Sequence, residues 1–251
     1  ADRRRSGTWQ LAVMAFALRG LKRLAGVERP AIASVVPAKQ GELVMLDMGA
    51  NVDCKPSHLL QFALMGEAYA RIIQGRSRPR VGILSNGTEE SKGNELTREA
   101  HKLLVKTHLN YGGYVEGRDI FNGNADVIVS DGFTGNVSLK AIESVAEMLG
   151  VMLREEIERS LPARIGYLFA RGAFARFKKR ADYAEYGGMP LLGVRGSAII
   201  CHGRSSAKAI KNAIRVASEV IESRINERIE TALAAVGRQG LVVLRVAERG
   251  A

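Results

Sequence analysis

The sequence predicts an α/β protein with a largely parallel sheet and flanking helices, folded as one domain over residues 1–251. One observation is a unit that occurs three times: a short β-rich run, a polar Gly-rich loop, then an apolar segment of helical period. Another is composition, with 46% apolar and 25% charged residues, the balance of a soluble globular protein. A third is length, since 251 residues bury a real core without disulfide or metal staples.

Leu11, Met14, Leu18 and Leu21 recur at spacings of three and four, predicting a first helix from about Thr8 to Leu24. Leu43 to Leu46 reads as a strand running into the loop Asp47-Met-Gly-Ala-Asn-Val-Asp53. A helix follows from about Pro56, with Leu59, Leu60, Ala63, Leu64 and Ala70 on one face and proline favourably placed in the first turn. The strand Val81 to Leu84 leads into Asn86-Gly-Thr-Glu-Glu-Ser-Lys-Gly-Asn-Glu95 and a helix carrying Leu96, Leu103 and Leu104. The strand Ala125 to Val129 leads into Asp131-Gly-Phe-Thr-Gly-Asn136. Its helix carries Leu139, Ile142, Val145, Ala146, Leu149, Met152 and Leu153.

Ala198 to Cys201 reads as a further strand ending at His202. A long carboxyl-terminal helix is predicted from about Ser206 to Val236, roughly 45 Å at 1.5 Å per residue. Its apolar row Ile210, Ile214, Ala217, Ile221 and Ile225 suggests a helix packed against a second copy.

In a parallel sheet, ligands bind beyond the carboxyl ends of the strands, so the three loops are expected to converge on one site. Glycine with small amide or hydroxyl side chains, set just ahead of a helix, makes an anion site from backbone N–H groups and the helix dipole. The same residues serve plain N-capping and tight turns. Asn86, Thr88, Thr134 and Asn136 are the candidate donors, and Lys92 the candidate cation. Asp131 either orients Lys92 or a loop amide, or caps the helix. Asp47 and Asn51 shape the first loop. His202 stands at a strand end, where either a catalytic or a hydrogen-bonded structural role fits.

Several classes are excluded. There is no Walker A or GxGxxG fingerprint, no G-x-S-x-G elbow and no HExxH. Cys54 and Cys201 form no CxxC pair and read as small packed hydrophobes, and no metal is expected. His58 and His101 fall in helices and read as surface or boundary residues. The balance of 37 Lys and Arg against 26 Asp and Glu gives a net charge of +11, which favours an anionic partner. Nucleic acid lacks a supporting motif. No apolar run reaches the roughly 20 residues of a membrane span, and no signal-peptide pattern opens the chain, so an intracellular protein is expected.

Residues 161–180 hold six basic and no acidic side chains together with Tyr167, Phe169, Phe174 and Phe177. On a helix, Arg164, Arg171 and Lys178 share a stripe. This pattern fits a helix or helical hairpin lying on an anionic membrane surface, and docking of an acidic protein would use the same charges. Pro162, Gly166 and Gly172 weaken a continuous helix.

Five stretches resemble the phosphate acyltransferase PlsX family. They are Gly26 to Ile32, Leu46 to Pro56, Asn86 to Leu96, Ala125 to Asn136 and Asp182-Tyr-Ala-Glu-Tyr-Gly-Gly-Met-Pro-Leu-Leu-Gly193, in family order. The resemblance implies a fold similar to isocitrate and isopropylmalate dehydrogenases and to phosphotransacetylase, a homodimer, and no organic cofactor. It implies acyl transfer from acyl-acyl carrier protein to inorganic phosphate. The acyl phosphate then passes to a membrane-embedded glycerol-phosphate acyltransferase, so the expected setting is cytoplasmic and peripheral to the membrane.

In this reading Lys92, Asp131 and Asn86 are catalytic, and Asp47, Asn51, Thr88, Asn94, Thr134, Asn136 and His202 bind substrate. The family carries about eighty further residues at its amino end and a Ser-Ala-Gly-Asn-Thr-Gly-Ala loop. Here Ser6 and Ala12 match that loop while its centre differs. A truncated paralogue that binds or dimerises without turnover is the alternative.

Overall fold

A computed structural model describes residues 16–39, 41–181, 188–201 and 205–236. The central sheet has five strands: β2 (Ser34–Ala38), β3 (Gly41–Leu46), β4 (Arg80–Leu84), β5 (Asn110–Val115) and β6 (Val127–Val129). Their spatial order is β2-β3-β6-β4-β5. β3, β6, β4 and β5 run parallel, and β2 pairs antiparallel with β3. The expected strands are therefore adjacent at the centre. β2 and β5 were not foreseen: β2 contains Pro37, which an edge position tolerates, and β5 reads Asn-Tyr-Gly-Gly-Tyr-Val, poor in β-branched residues.

Side-chain alternation assigns the two faces of the sheet. Val44, Leu46, Val127 and Val129 pack toward α1 (Pro56–Ile72), joining Leu59, Phe62 and Met65. Leu43, Met45 and Ile128 pack on the opposite side with Ile32, Leu139 and Leu191. α1 is buried around most of its circumference rather than on one face. Gly66 permits that depth, because a Cβ there would stand 2.6 Å from Val127 Cγ1 and 2.8 Å from Leu46 Cδ1.

A smaller antiparallel sheet joins β1 (Ala31–Ile32), β7 (Met189–Leu192) and β8 (Ile199–Ile200) in the order β1-β7-β8. The expected strand at 198–201 thus belongs to this sheet and not to the parallel one. Residues 16–21 are helical, in accord with the end of the first expected helix; the rest of that helix lies outside the described residues.

The remaining helices are α2 (Glu95–Leu104), the single turn α3 (Asp119–Asn122), α4 (Gly132–Glu158), α5 (Leu161–Ala181) and α6 (Ala207–Glu222). The carboxyl-terminal helical region is present but interrupted. The Ser223 N–H donates to Glu219 O at 3.0 Å, Arg224 takes φ +52, and helix resumes over 225–236. That turn redirects the chain so that Ile225 and Ile229 are fully buried. The apolar row is split: Ala209, Ala213, Val216 and Val220 face the core, while Ile210, Ile214 and Ile221 are exposed.

The apolar positions of α4 are likewise divided. Leu139 is buried, but Val145, Leu149, Met152 and Leu153 are 40–57% exposed. α4 and α5, linked by Arg159-Ser160, form a helical hairpin whose far part leaves these side chains exposed among the described residues. Pro162 leaves α5 unbroken because it sits in the first turn, where its missing N–H costs nothing.

Candidate functional site

β3, β4 and β6 being parallel, their carboxyl ends lie on one edge, and each is followed by a loop entering α1, α2 or α4. The β3 loop is held from within. Asp47 is fully buried: its Oδ1 accepts from the N–H of Ile32 and of Ala50, both at 3.0 Å. Its Oδ2 accepts from the Asn51 N–H at 2.7 Å and from Asn51 Nδ2 at 2.9 Å. Asn51 Nδ2 also donates to Pro30 O at 2.8 Å, tying the loop to the approach to β1. Burial pushes the Asp47 carboxyl up to about 6, against the donors that pull it down. These bonds of both side chains run to the loop itself, to β1 and to the residue before it.

The start of α4 is fastened to that loop. The Gly132 N–H donates to Asn51 O at 2.7 Å, and a Cβ at Gly132 would come within 2.6 Å of the same oxygen. Asp131 caps the helix: its Oδ1 accepts from the Thr134 N–H at 2.8 Å and its Oδ2 from Thr134 Oγ1 at 2.7 Å. Among the described residues no hydrogen bond or ion pair joins Asp131 to Lys92. Asn136, half-buried, lies against Gly49, whose φ is +117.

The β4 loop turns on Asn86, whose Oδ1 accepts from the Gly93 N–H at 2.9 Å. Asn94 caps α2 by accepting from the Thr97 N–H at 2.9 Å, and Thr97 Oγ1 accepts in return from the Asn94 N–H at 2.9 Å. Thr88 and Lys92 are exposed in this loop, and the Lys92 stem packs over Gly87.

Between the loops lies an open cleft of about 400 Å³ lined by Val52, Asp53, Cys54, Asn94, Leu96, Asp131, Phe133 and Thr134. Three of the expected site residues, Asn94, Asp131 and Thr134, thus share one cleft. None of the other six lines it: Asn86, Thr88 and Lys92 belong to the loop that enters α2, Asp47 and Asn51 to the β3 loop, and Asn136 to the start of α4. His202 lies outside the described residues. Val52, Asp53, Cys54, Leu96 and Phe133 were not foreseen as lining residues, although each stands within a stretch already singled out.

The chemistry of the cleft follows from its backbone. α2 and α4 both begin at it, and the first-turn N–H groups of Glu95, Leu96 and Phe133 meet no acceptor among the described residues. Two helix N-termini and unpaired N–H groups suit an anion or a developing oxyanion. Cys54 is held in its thiol form: burial, reinforced by the Asp47 charge, pushes it up to about 12, and its Sγ donates to Asn51 O at 3.4 Å.

His101 and His58 do not line the cleft. His101 Nδ1 is 2.8 Å from Tyr111 Oη and its ring stacks on Tyr114, in a cluster between α2 and β5. His58, expected at a boundary, is buried in α1. Ser130, at the end of β6, keeps a buried hydroxyl with no partner among the described residues.

No described helix is long and apolar enough to cross a membrane. On α5, Phe169 and Phe177 are 88% and 64% exposed, while Tyr167 and Phe174 pair with ring centroids 5.1 Å apart.

The chain is 59% identical over 218 residues to the phosphate acyltransferase of Geotalea uraniireducens (strain Rf4), covering 87% of this chain and 63% of that protein. It is 58% identical over 218 residues to the phosphate acyltransferase of Geobacter sulfurreducens, with the same coverage. It therefore spans somewhat under two thirds of the length of these curated relatives. Among solved structures, a phosphotransacetylase from Streptococcus pyogenes superposes with a TM-score of 0.54 at 19% identity, over 82% of this chain and 58% of that one, a likeness of fold. The model of the fatty acid synthesis protein family matches residues 6–228, and the chain belongs to that family.

Proposed function

We propose that this chain carries the catalytic cleft of a phosphate acyltransferase, which moves a fatty acyl group from the thioester of acyl carrier protein to inorganic phosphate. The observation that carries this reading is the pair of helix N-termini, with the free N–H groups of Leu96 and Phe133, on one cleft at the carboxyl edge of the parallel sheet.

Phosphate is already anionic near neutral pH and needs positioning more than deprotonation. One phosphate oxygen attacks the thioester carbonyl carbon. The C=O becomes an oxyanion, which collapses and breaks the C–S bond; the thiolate leaves and takes a proton from solvent. The first-turn N–H groups and the Asn94 side-chain amide supply donors, and Lys92 from the loop that enters α2 supplies the counter-charge. Such a site has no use for an acyl-serine or a cysteine nucleophile.

In this proposal the acyl phosphate passes to a glycerol-phosphate acyltransferase in the membrane. The protein works as a homodimer at the cytoplasmic membrane surface, where the exposed apolar side chains of α4 and α5 are covered. The name carried by the relatives supports the transfer to phosphate. The test incubates the purified chain with acyl carrier thioester and phosphate alone, following thiol release and hydroxylamine-reactive acyl phosphate. Phosphate-dependent formation of both supports the reading, and thiol release that ignores phosphate refutes it.

A further inference from the structure

A second cleft, of about 730 Å³, opens on the other side of the β3 loop. Its walls carry Lys22, Arg23, Arg29 and Lys55, with Glu28 and His58 between them. None of the four cations has an ion-pair partner among the described residues. The one carboxylate is turned to α1, where Glu28 Oε2 accepts from Ser57 Oγ and from His58 Nε2, both at 3.2 Å. The tautomer of His58 is set by its other nitrogen: Nδ1 accepts from the Lys55 N–H at 3.1 Å, which leaves the proton on Nε2. Burial lowers the affinity of His58 for a second proton, so it adds no charge. Arg23 is anchored by donating from Nη1 to Glu28 O at 2.5 Å. Four cations against one carboxylate leave an excess of three positive charges around a concavity of small-molecule size.

The position matters as much as the charge. Lys55 lines this cleft and Cys54, the preceding residue, lines the catalytic one; adjacent Cα atoms are about 3.8 Å apart. A ligand lying across the 52–55 segment enters both.

We propose that this basic cleft is a phosphate-ester subsite, holding the phosphate on the thiol-bearing arm of the acyl donor while the thioester reaches the cleft between α2 and α4. The inference rests on the acyl-transfer reading for its ligand and adds the residues that recognise it. Guanidinium and ammonium groups bind phosphate esters by charge-assisted hydrogen bonds, and this chemistry is common to an arm tethered to a carrier protein and to one that is free.

The test titrates the 251-residue chain with 4′-phosphopantetheine and with pantetheine, which differ only in the phosphate. The phosphorylated arm is expected to bind at least tenfold tighter, with a preference that shrinks as salt rises. The Arg29→Glu, Lys55→Glu double variant is expected to lose the preference, whereas Lys92→Ala keeps it. Equal binding of the two arms by the unmodified chain overturns the proposal, as does a preference that survives the charge reversal. With the subsite established, competition by carrier-bound and free acylated arms tells which source occupies it. Failure of acyl phosphate to form would overturn the acyl-transfer reading alone, because the binding comparison needs no turnover.

Discussion

Gly135 sits so close to Asp47 that a Cβ on it would stand 2.1 Å from the Asp47 carbonyl oxygen, with Met48 Cε at 2.7 Å and Ser130 Oγ at 2.9 Å. The first turn of α4 is thereby pressed onto the β3 loop, and the backbone oxygen cannot swing away as a side chain would. Gly135→Ala is expected to cost about 2 kcal/mol and to lower Tm by roughly 4–8 °C. Gly150, on the same helix, has open space around it, so Gly150→Ala is expected to leave Tm unchanged or raise it, by up to about 1 kcal/mol of helix propensity. Paired thermal melts read the contrast, and equal effects of the two changes would show that the loop and helix are not in tight contact.

The buried Asp47 makes stability depend on pH. Its folded-state value, about 6, lies above the ordinary aspartate value of 3.8, so the folded protein holds this proton more tightly than the unfolded chain does. The contribution is fully present below about pH 4 and is lost as pH rises through 6. Denaturant midpoints for the unmodified chain and for Asp47→Asn, measured from pH 4 to 7, are expected to converge as pH rises. The amide forfeits acceptor capacity and lowers stability in its own right, so the slope of the difference is the readout and not its level. Parallel curves would place the Asp47 titration outside this window.

Lys92 and Asp131 separate by what each one touches. Lys92 has no ion-pair partner among the described residues, whereas both carboxylate oxygens of Asp131 are taken by Thr134. Lys92→Ala is expected to lower acyl phosphate formation at least a hundredfold, about 2.7 kcal/mol in the barrier, with unchanged melting. Asp131→Ala is expected to cost about 1 kcal/mol of stability through the lost cap, and Asp131→Asn to restore it. Steady-state rates beside melting curves for the three variants check this. Normal turnover by Lys92→Ala would remove it from the chemistry.

The sequence made the central strands and their loops legible because each couples a short continuous apolar run to glycine and capping residues, signals that local physics reads directly. The partners within the site were less legible. That Asp47 answers to Ile32, or Gly132 to Asn51, follows from tertiary approach and leaves no mark on spacing. The basic cleft was invisible for the same reason, since Lys22, Arg29 and Lys55 are dispersed in the chain and meet only when α1 docks. The apolar residues of α4 and the isoleucines of α6 were legible as stripes but not in what covers them. Helical spacing identifies a stripe, but not whether the stripe faces the chain's own core or something beyond it.

The hairpin of α4 and α5 gives that last distinction a test. Phe169 and Phe177 are 88% and 64% exposed, and the same helix bears Arg164, Arg171 and Arg176 with no carboxylate. Within this chain the two phenyl rings bury little area, so Phe169→Glu with Phe177→Glu is expected to change stability by no more than about 0.5 kcal/mol. At an anionic bilayer the same changes remove two inserting rings and place two carboxylates against negative headgroups, where each nearby Lys or Arg contributes about 1 kcal/mol. Co-sedimentation with vesicles containing anionic lipid is expected to show binding by the unmodified chain that weakens with salt, and none by the double variant. Tyr167 and Phe174, which pack on each other, serve as the internal control: Phe174→Leu preserves an apolar contact and is expected to keep vesicle binding. Equal binding by the double variant would show that the rings stay out of the bilayer and that charge alone holds the hairpin there. A loss of melting temperature in the double variant would show instead that they pack against protein.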